Sequence, residues 1–243
     1  MGSNKELGII EMKVELVYLH ISRDPSTYVP YSKRFASTYV GFPGDYEHEL
    51  VVMLCNGNPN DKSHVPVFSG IPCRFELYSG GANDISAQQH MARLSKADII
   101  VCMSSLVHFR RRGWLKRLVE EIEKNGEGLY GAMSSYENSP HIRTCFYACN
   151  PESFRAYPHS IETRDDSFRF ESKDLSFSTW FSNRSKCMIV CWDGCYLLSE
   201  SRAPKNVFRK GDQSNCIAFD RHTDIYENSS PSDKLAQEQR TGY

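Results

Sequence analysis

The stretch that most limits what this chain can fold into is Ala97-Asp98-Ile99-Ile100-Val101-Cys102, taken with the residues on its carboxyl side. This short β-type apolar run ends in Met103-Ser104-Ser105-Leu106, and a helix opens near Gly113-Trp114-Leu115. That helix carries Leu115, Leu118, Val119 and Ile122 on one face and Lys116, Arg117, Glu120, Glu121 and Lys124 on the other, the pattern of a packing helix. It closes at Asn125-Gly126, and a Gly-rich strand, Gly128 to Ala132, comes at once. A buried run, a helix of period 3.6 and a second run make the sequence form of a β-α-β unit. Open α/β sheets put their ligands where such strands end.

The preceding residues repeat the theme. Val14 to Ile21 reads as a first strand, broken by Ser22-Arg23-Asp24-Pro25. A helix is expected over Tyr31 to Tyr39, with Phe35 and Tyr39 on one face. His48 to Cys55 is a second buried strand, ended by Asn56-Gly57-Asn58-Pro59, and Arg74 to Tyr78 is a third. Asn83 to Ser86 looks like a capped helix start, with the helix running from Ser86 to Leu94. The order predicts an α/β fold, a Rossmann-like, mostly parallel sheet flanked by helices in a single domain.

From His141 the pattern changes. His141 to Cys149 alternates like a strand exposed on one side, and Asn150-Pro151-Glu152 starts a short helix. Arg164 to Phe170 reads as polar and irregular. Glu171 and Asp174 then stand at the start of a short amphipathic helix carrying Leu175, Phe177, Trp180 and Phe181. Cys187 to Cys195 reads as one further strand. The expected organisation is a leader or tag over 1–11, one domain over 12–226 and a polar, fraying tail over 227–243.

Composition excludes several classes. Lys and Arg total 29 against 30 Asp and Glu, a net charge of -1, so no basic field draws nucleic acid. No apolar run approaches the ~18 residues of a transmembrane helix, and the amino terminus lacks the apolar core of a secretory signal. Nine scattered cysteines point to reduced thiols in the cytoplasm. Cys145, Cys149, Cys187, Cys191 and Cys195 recur at spacings of four, but their strand-like apolar neighbours favour buried thiols over a zinc site. Ser104-Ser105 lacks the glycines of a nucleophile elbow, and Gly80-Gly81 has neither a Walker lysine nor a G-x-G-x-x-G frame. Two acidic groups stand out. Glu171 and Asp174 are one, read either as helix-start acids or as catalytic carboxylates. The other is the C-terminal cluster of Asp212, Asp220, His222 and Asp224, where Gly211-Asp212-Gln213-Ser214-Asn215 stands beside Asp220-Arg221-His222.

Taken together, four segments make the chain resemble glycosyltransferases of the GT-A fold, of the bacterial and viral surface-polysaccharide type. They are Gly81 to His90, Ala97 to Cys102 with its loop, Pro140 to Thr144, and Phe170 to Ser176. The resemblance spans about Val14 to Tyr226. It implies a GT-A-like mixed sheet, a nucleotide-sugar donor, a glycan or glycolipid acceptor, no nucleic-acid partner and a part in polysaccharide biosynthesis. Glu171, and after it Asp174, would be the carboxylate base of an inverting reaction. Asp84 would lie near the nucleoside, and His141 and Arg143 would face the donor or acceptor sugar. Arg209, Asp212 and Gln213 would join the donor site. The family's metal-binding Asp-x-Asp falls on Met103, Ser104 and Ser105, poor ligands for Mg²⁺ or Mn²⁺. Either no cofactor is required, with Arg110, Arg111 and Arg112 supplying charge to the diphosphate, or His222 and a nearby Asp hold Mn²⁺ or Mg²⁺. The alternative is a catalytically inactive module of the same fold that binds nucleotide or carbohydrate. A sugar nucleotidyltransferase and a dehydrogenase are disfavoured for want of their phosphate-binding loops.

Overall fold

A computed structural model describes residues 11–22, 24–55, 62–80, 84–200 and 209–241. In chain order these form β1 (Val14–Ile21), α1 (Pro25–Gly41), β2 (Glu49–Cys55), α2 (His64–Val67), β3 (Arg74–Tyr78), α3 (Asp84–Leu94) and β4 (Ile99–Met103). There follow α4 (Trp114–Asn125), β5 (Gly128–Gly131), β6 (Ser134–Ser135), β7 (His141–Ile142), β8 (Phe146–Cys149), α5 (Pro151–Arg155) and α6 (Arg164–Ser172). The chain closes with α7 (Phe177–Ser182), β9 (Lys186–Val190), β10 (Cys195–Leu197), α8 (Arg221–Glu227) and α9 (Pro231–Arg240).

Among the described residues one eight-stranded sheet runs in the order β10-β9-β5-β8-β4-β1-β2-β3. The β4-β1-β2-β3 half is parallel throughout. Strand β8 runs antiparallel between β4 and β5, β9 is parallel to β5, and β10 folds back on β9. This is the mostly parallel mixed sheet expected from the order of runs.

The central strands β1, β2 and β4 are buried on both faces, which is why they read as continuous apolar runs. Along β1, Leu16 and Tyr18 pack with Phe35 of α1 and with Trp114, Leu115 and Leu118 of α4. The alternate residues, Val17 and Leu19, pack with Ala87 and Met91 of α3. Beyond β4 the α3 face continues under Phe154, Phe170, Phe177 and Phe181 of α5 to α7. Tyr18 stacks on Phe35 with ring centroids 3.7 Å apart, and Trp114 stacks on Phe109 at 3.8 Å.

Five local expectations are corrected. Arg164–Ser172 is a helix, held by a capping box in which Asp166 N donates to Thr163 Oγ1 at 3.1 Å and Thr163 N donates back to Asp166 Oδ2 at 2.9 Å. Glu171 therefore ends α6 rather than starting α7, whose N-cap is Ser176. The run from Cys187 is a hairpin, because Cys191 N turns back to Gly194 O at 2.9 Å. The 141–149 strand divides at Arg143–Cys145. The polar stretch from 227 does not fray over 231–240: Ser230 caps α9, and Tyr226 Oη donates to Glu238 Oε1 at 2.5 Å. The leader expected over 1–11 lies outside the described residues apart from Glu11, as do Asn56-Gly57-Asn58-Pro59 and Gly81-Ala82-Asn83.

Among the described residues no helix is long and apolar enough to cross a membrane.

Candidate functional site

A cleft of about 420 Å³ opens where β1 and β4 end, walled on one side by Ile21, Tyr28, Asp84 and Ser105 and on the other by Thr144, Arg164, Ser167, Phe168 and Glu171. A hollow of about 510 Å³ lies at the opposite edge, among Lys13, Glu15, Glu49 and Lys96 at the amino ends of the strands. The carboxyl-end cleft is the better site despite its smaller size. There the loops that follow the strands converge, and the amino end of α3 points its backbone dipole inward.

The segment 141–145 is an arm that reaches this cleft at Thr144, and several bonds fix it. Ser134 and Ser135 pair with Ile142 and His141 in a two-stranded ladder. Ile142 N donates to Ser178 Oγ at 2.9 Å, and Arg143 N to Met133 O at 3.0 Å. Ser104 N donates to Cys145 O at 2.9 Å, so the arm is tied to the loop after β4. Ser139 Oγ donates to Ser172 O at 2.7 Å, tying the turn before the arm to the end of α6. Gly131 ends β5 directly beneath the arm, and a Cβ there would overlap the Ile142 side chain.

These ties bring Arg143 and Glu171 together, both partly buried, with 15% and 18% of their side chains exposed. Arg143 Nη1 donates to Glu171 Oε1 at 2.8 Å. The same oxygen accepts from Thr144 N at 3.3 Å and Thr144 Oγ1 at 3.0 Å. Oε2 takes none of these bonds. Burial alone would raise the Glu171 carboxyl, but the Arg143 charge and the two Thr144 donors outweigh it and hold Glu171 below the usual carboxylate range. Arg143 Nη2 lies 3.9 Å from Asp220 Oδ2 on its far side. Asp220 is itself buried as the N-cap of α8, its Oδ1 accepting from Thr223 N at 2.9 Å. The His141 ring donates from Nδ1 to Ser139 O at 2.7 Å; burial keeps it neutral, so Nε2 bears the lone pair. Arg209 Nη2 donates to His222 Nδ1 at 3.3 Å, and burial together with the nearby Arg143 charge lowers the Arg209 guanidinium.

The arrangement thus gathers Asp84, Ser105 and Glu171 at the cleft. His141, Arg143, Asp220, His222 and Arg209 form a contiguous polar cluster beside and behind Glu171. Other sequence candidates lie elsewhere. Met103 is fully buried in the core, paired in the sheet with Tyr18 and Phe146, and cannot reach a ligand there. Ser104 shapes the turn, its Oγ accepting from Leu106 N at 3.4 Å. Asp174 is exposed and bound to Arg169, whose guanidinium holds it down to about 2. Asp212 is occupied by Ser214 N and Oγ in a local turn. Gln213 is buried and donates to Lys210 O at 2.7 Å. The basic run after β4 does not serve the cleft: Arg110 pairs with Asp224 and Glu227, Arg111 lies over the Trp192 ring and Arg112 pairs with Asp45.

For Mn²⁺ or Mg²⁺ the donor chemistry does not fit. Among the described residues no group of three or more His, Cys, Asp and Glu side chains is placed to hold a metal, and Met103-Ser104-Ser105 offers no carboxylate. His222 Nδ1 already accepts from Arg209.

Sequence reasoning missed Thr144 as a site residue, although it ends the Pro140 to Thr144 segment, and of the α6 wall it found only Glu171. Apolar periodicity gave no sign of that wall, since of Arg164, Ser167, Phe168 and Glu171 on its face only Phe168 is apolar.

The sequence matches no protein-family model, and no curated protein matches it. Solved structures with a similar chain path include a mannosyltransferase from Pyrobaculum calidifontis in complex with GDP-Man and Mn²⁺, at 13% identity and TM-score 0.46 over 59% of this chain and 46% of that one. The galactosyltransferase LgtC in complex with donor and acceptor sugar analogs gives 11% and 0.44 over 58% and 59%. S. aureus TarS gives 12% and 0.44 over 64% of this chain and 32% of that one. The chain thus spans between a third and three fifths of the length of these structures. Overlaps of this size do not assign an activity, which resides in the site.

Proposed function

We propose that the chain is a glycosyltransferase that moves a sugar, with inversion, from a nucleotide-sugar donor to a hydroxyl of a glycan or glycolipid acceptor in surface-polysaccharide synthesis. The observation that supports it most directly is Glu171. It is an ionised carboxylate at the wall of a strand-end cleft, with Oε1 fixed by three donors and Oε2 left for another partner. In this reading the acceptor hydroxyl oxygen bonds to the anomeric carbon as the bond from that carbon to the diphosphate breaks. The hydroxyl proton passes to Glu171 Oε2, and the electron pair leaves with the diphosphate. Asp84 and Ser105 form the donor wall. Arg143 and Arg209, close enough to affect one another's ionisation, provide positive charge for the leaving group in place of Arg110 to Arg112. Nine free thiols, none in a disulfide, accord with a cytoplasmic reaction.

The test is a melting panel with UDP, GDP, CMP and dTDP, followed by assay of diphosphate release with and without acceptor. One nucleotide should raise the melting temperature, since a ligand at ~100 times its Kd adds about 2.7 kcal/mol. Glu171→Gln should keep that shift and lose roughly 10²–10⁴-fold in turnover. Undiminished turnover in Glu171→Gln would remove Glu171 from the role of base.

A further inference from the structure

The base defines where the acceptor must lie, and helix geometry then defines what lies next to it. If Glu171 takes the proton, the reacting hydroxyl sits at the last turn of α6. Residues on the same face, moving toward the helix start, meet the rest of the acceptor. Phe168 is one turn away, roughly 5 Å, and Arg164 two turns away, roughly 10 Å, at 1.5 Å per residue. Both line the cleft with Ser167 between them.

Two features of this face bear on what it can bind. Phe168 leaves 42% of its surface exposed, whereas Phe170 beside it is fully buried. The Lys173 ammonium stands 4.5 Å above the Phe168 ring, bringing a second positive charge to the patch. Arg164 is exposed and makes no hydrogen bond or ion pair among the described residues. By contrast Arg34, Arg74, Arg110, Arg112 and Arg169 each hold a carboxylate. An aromatic ring supplies a flat apolar surface for the C–H face of a sugar, and a guanidinium with all its donors open matches a carboxylate or phosphate.

We infer that the α6 face is an acceptor subsite selecting an anionic saccharide. Phe168 seats the ring that bears the reacting hydroxyl, and Arg164 binds a carboxylate or phosphate carried beyond it. The inference rests on the glycosyl-transfer reading of the same cleft.

The experiment uses the full chain with the nucleotide identified by the melting panel. Three probes are titrated by calorimetry: neutral maltotetraose, maltotetraose phosphorylated at its reducing end, and a uronate-containing hyaluronan tetrasaccharide. One or both anionic probes should bind roughly 10- to 100-fold more tightly than the neutral one, as a charge-assisted hydrogen bond allows, and the advantage should shrink with added salt. Arg164→Ala should abolish the advantage and Arg164→Lys retain part of it, while Phe168→Leu should weaken charged and neutral probes alike. Whichever anion gains identifies the source of the charge. Equal binding of all three probes by the unmodified chain, in the presence of a bound nucleotide, overturns the inference and leaves glycosyl transfer intact. Loss of nucleotide affinity in Arg164→Ala, with saccharide affinity unchanged, overturns it too and moves Arg164 to the donor. Arg164-dependent anion binding with no response to any nucleotide would sink the transfer reaction and keep the saccharide site; absence of both sinks both.

Discussion

Arg34 and Arg110 beside Asp224, and Arg143 beside Asp220 one helical turn away at the start of α8, are each held against carboxylates, yet the two groups end differently. Around Asp224 the charges close on themselves. Arg34 pairs with both Asp224 oxygens, Arg110 bridges Asp224 and Glu227, and His108 Nε2 accepts from Arg34 at 2.9 Å. Arg110 also lies 4.1 Å above the Phe219 ring. This group pins α1, the loop after β4 and α8 to one another, its charges paired among themselves. Around Arg143 the same ingredients leave Glu171 at the wall of the cleft, with Oε2 outside the three bonds that hold Oε1. An acid or a base acquires a function from the bond it has not made, and a tally of charged residues along the sequence does not reveal which bond that is.

The contrast can be broken most severely at Arg143. Arg143→Met leaves the buried Asp220 and the partly buried Glu171 without their counter-ion, which should cost up to about 3–5 kcal/mol, read as a lowered urea midpoint. A loss under about 1 kcal/mol would show that the two carboxylates do not depend on it.

Acid should separate the two groups next. Burial, reinforced by Arg34 and Arg110 and only partly countered by Asp224, pulls His108 from 6.5 down to about 4. Between those values the unfolded chain binds a proton that the folded chain refuses, so stability is fully present above pH 6.5 and declines as pH falls toward 4. The loss is on the order of 3 kcal/mol at 1.36 kcal/mol per unit. Glu171, held below its usual range, gives up its contribution only at still lower pH. Denaturation midpoints between pH 7 and 4 should therefore slope downward, and His108→Gln should flatten the slope. An unchanged slope in that variant would place the titrating group elsewhere.

The smallest effect concerns the basic run. Arg111→Ala removes a cation–π contact with Trp192, worth roughly 0.5–1 kcal/mol, and should leave nucleotide affinity unaltered. A fall in that affinity would return the run to the donor site.

How much of the fold was legible depended on how each segment is held. β1, β2, β4 and α4 were readable because a core on both faces writes itself as apolar periodicity. α6 was not: of its residues Phe170 and Ser172 are the buried ones, and its start depends on Thr163 and Asp166 rather than on apolar spacing. α9 likewise rests on Ser230 and Pro231. The split at Arg143 was hidden because Cys145 and Phe146 resume an apolar pattern at once, while the turn serves a bond to Glu171 that is distant in sequence. Glu171 itself was legible as an acid beside an aromatic cluster. Its pairing with Arg143 and Thr144 required the fold, and so did the removal of Asp174 and Met103 from the site.

The missing side chain at Gly131 has a consequence of another kind. Because a Cβ at 131 would occupy the space of the Ile142 side chain, the two positions are not free to vary separately. A larger residue at 131 is tolerable only with a smaller one at 142, and residue 142 is adjacent to Arg143. The last residue of β5, which bears no charge and lines no cleft, is thereby in epistasis with the arm that positions the base, and drift at the two sites must proceed in concert.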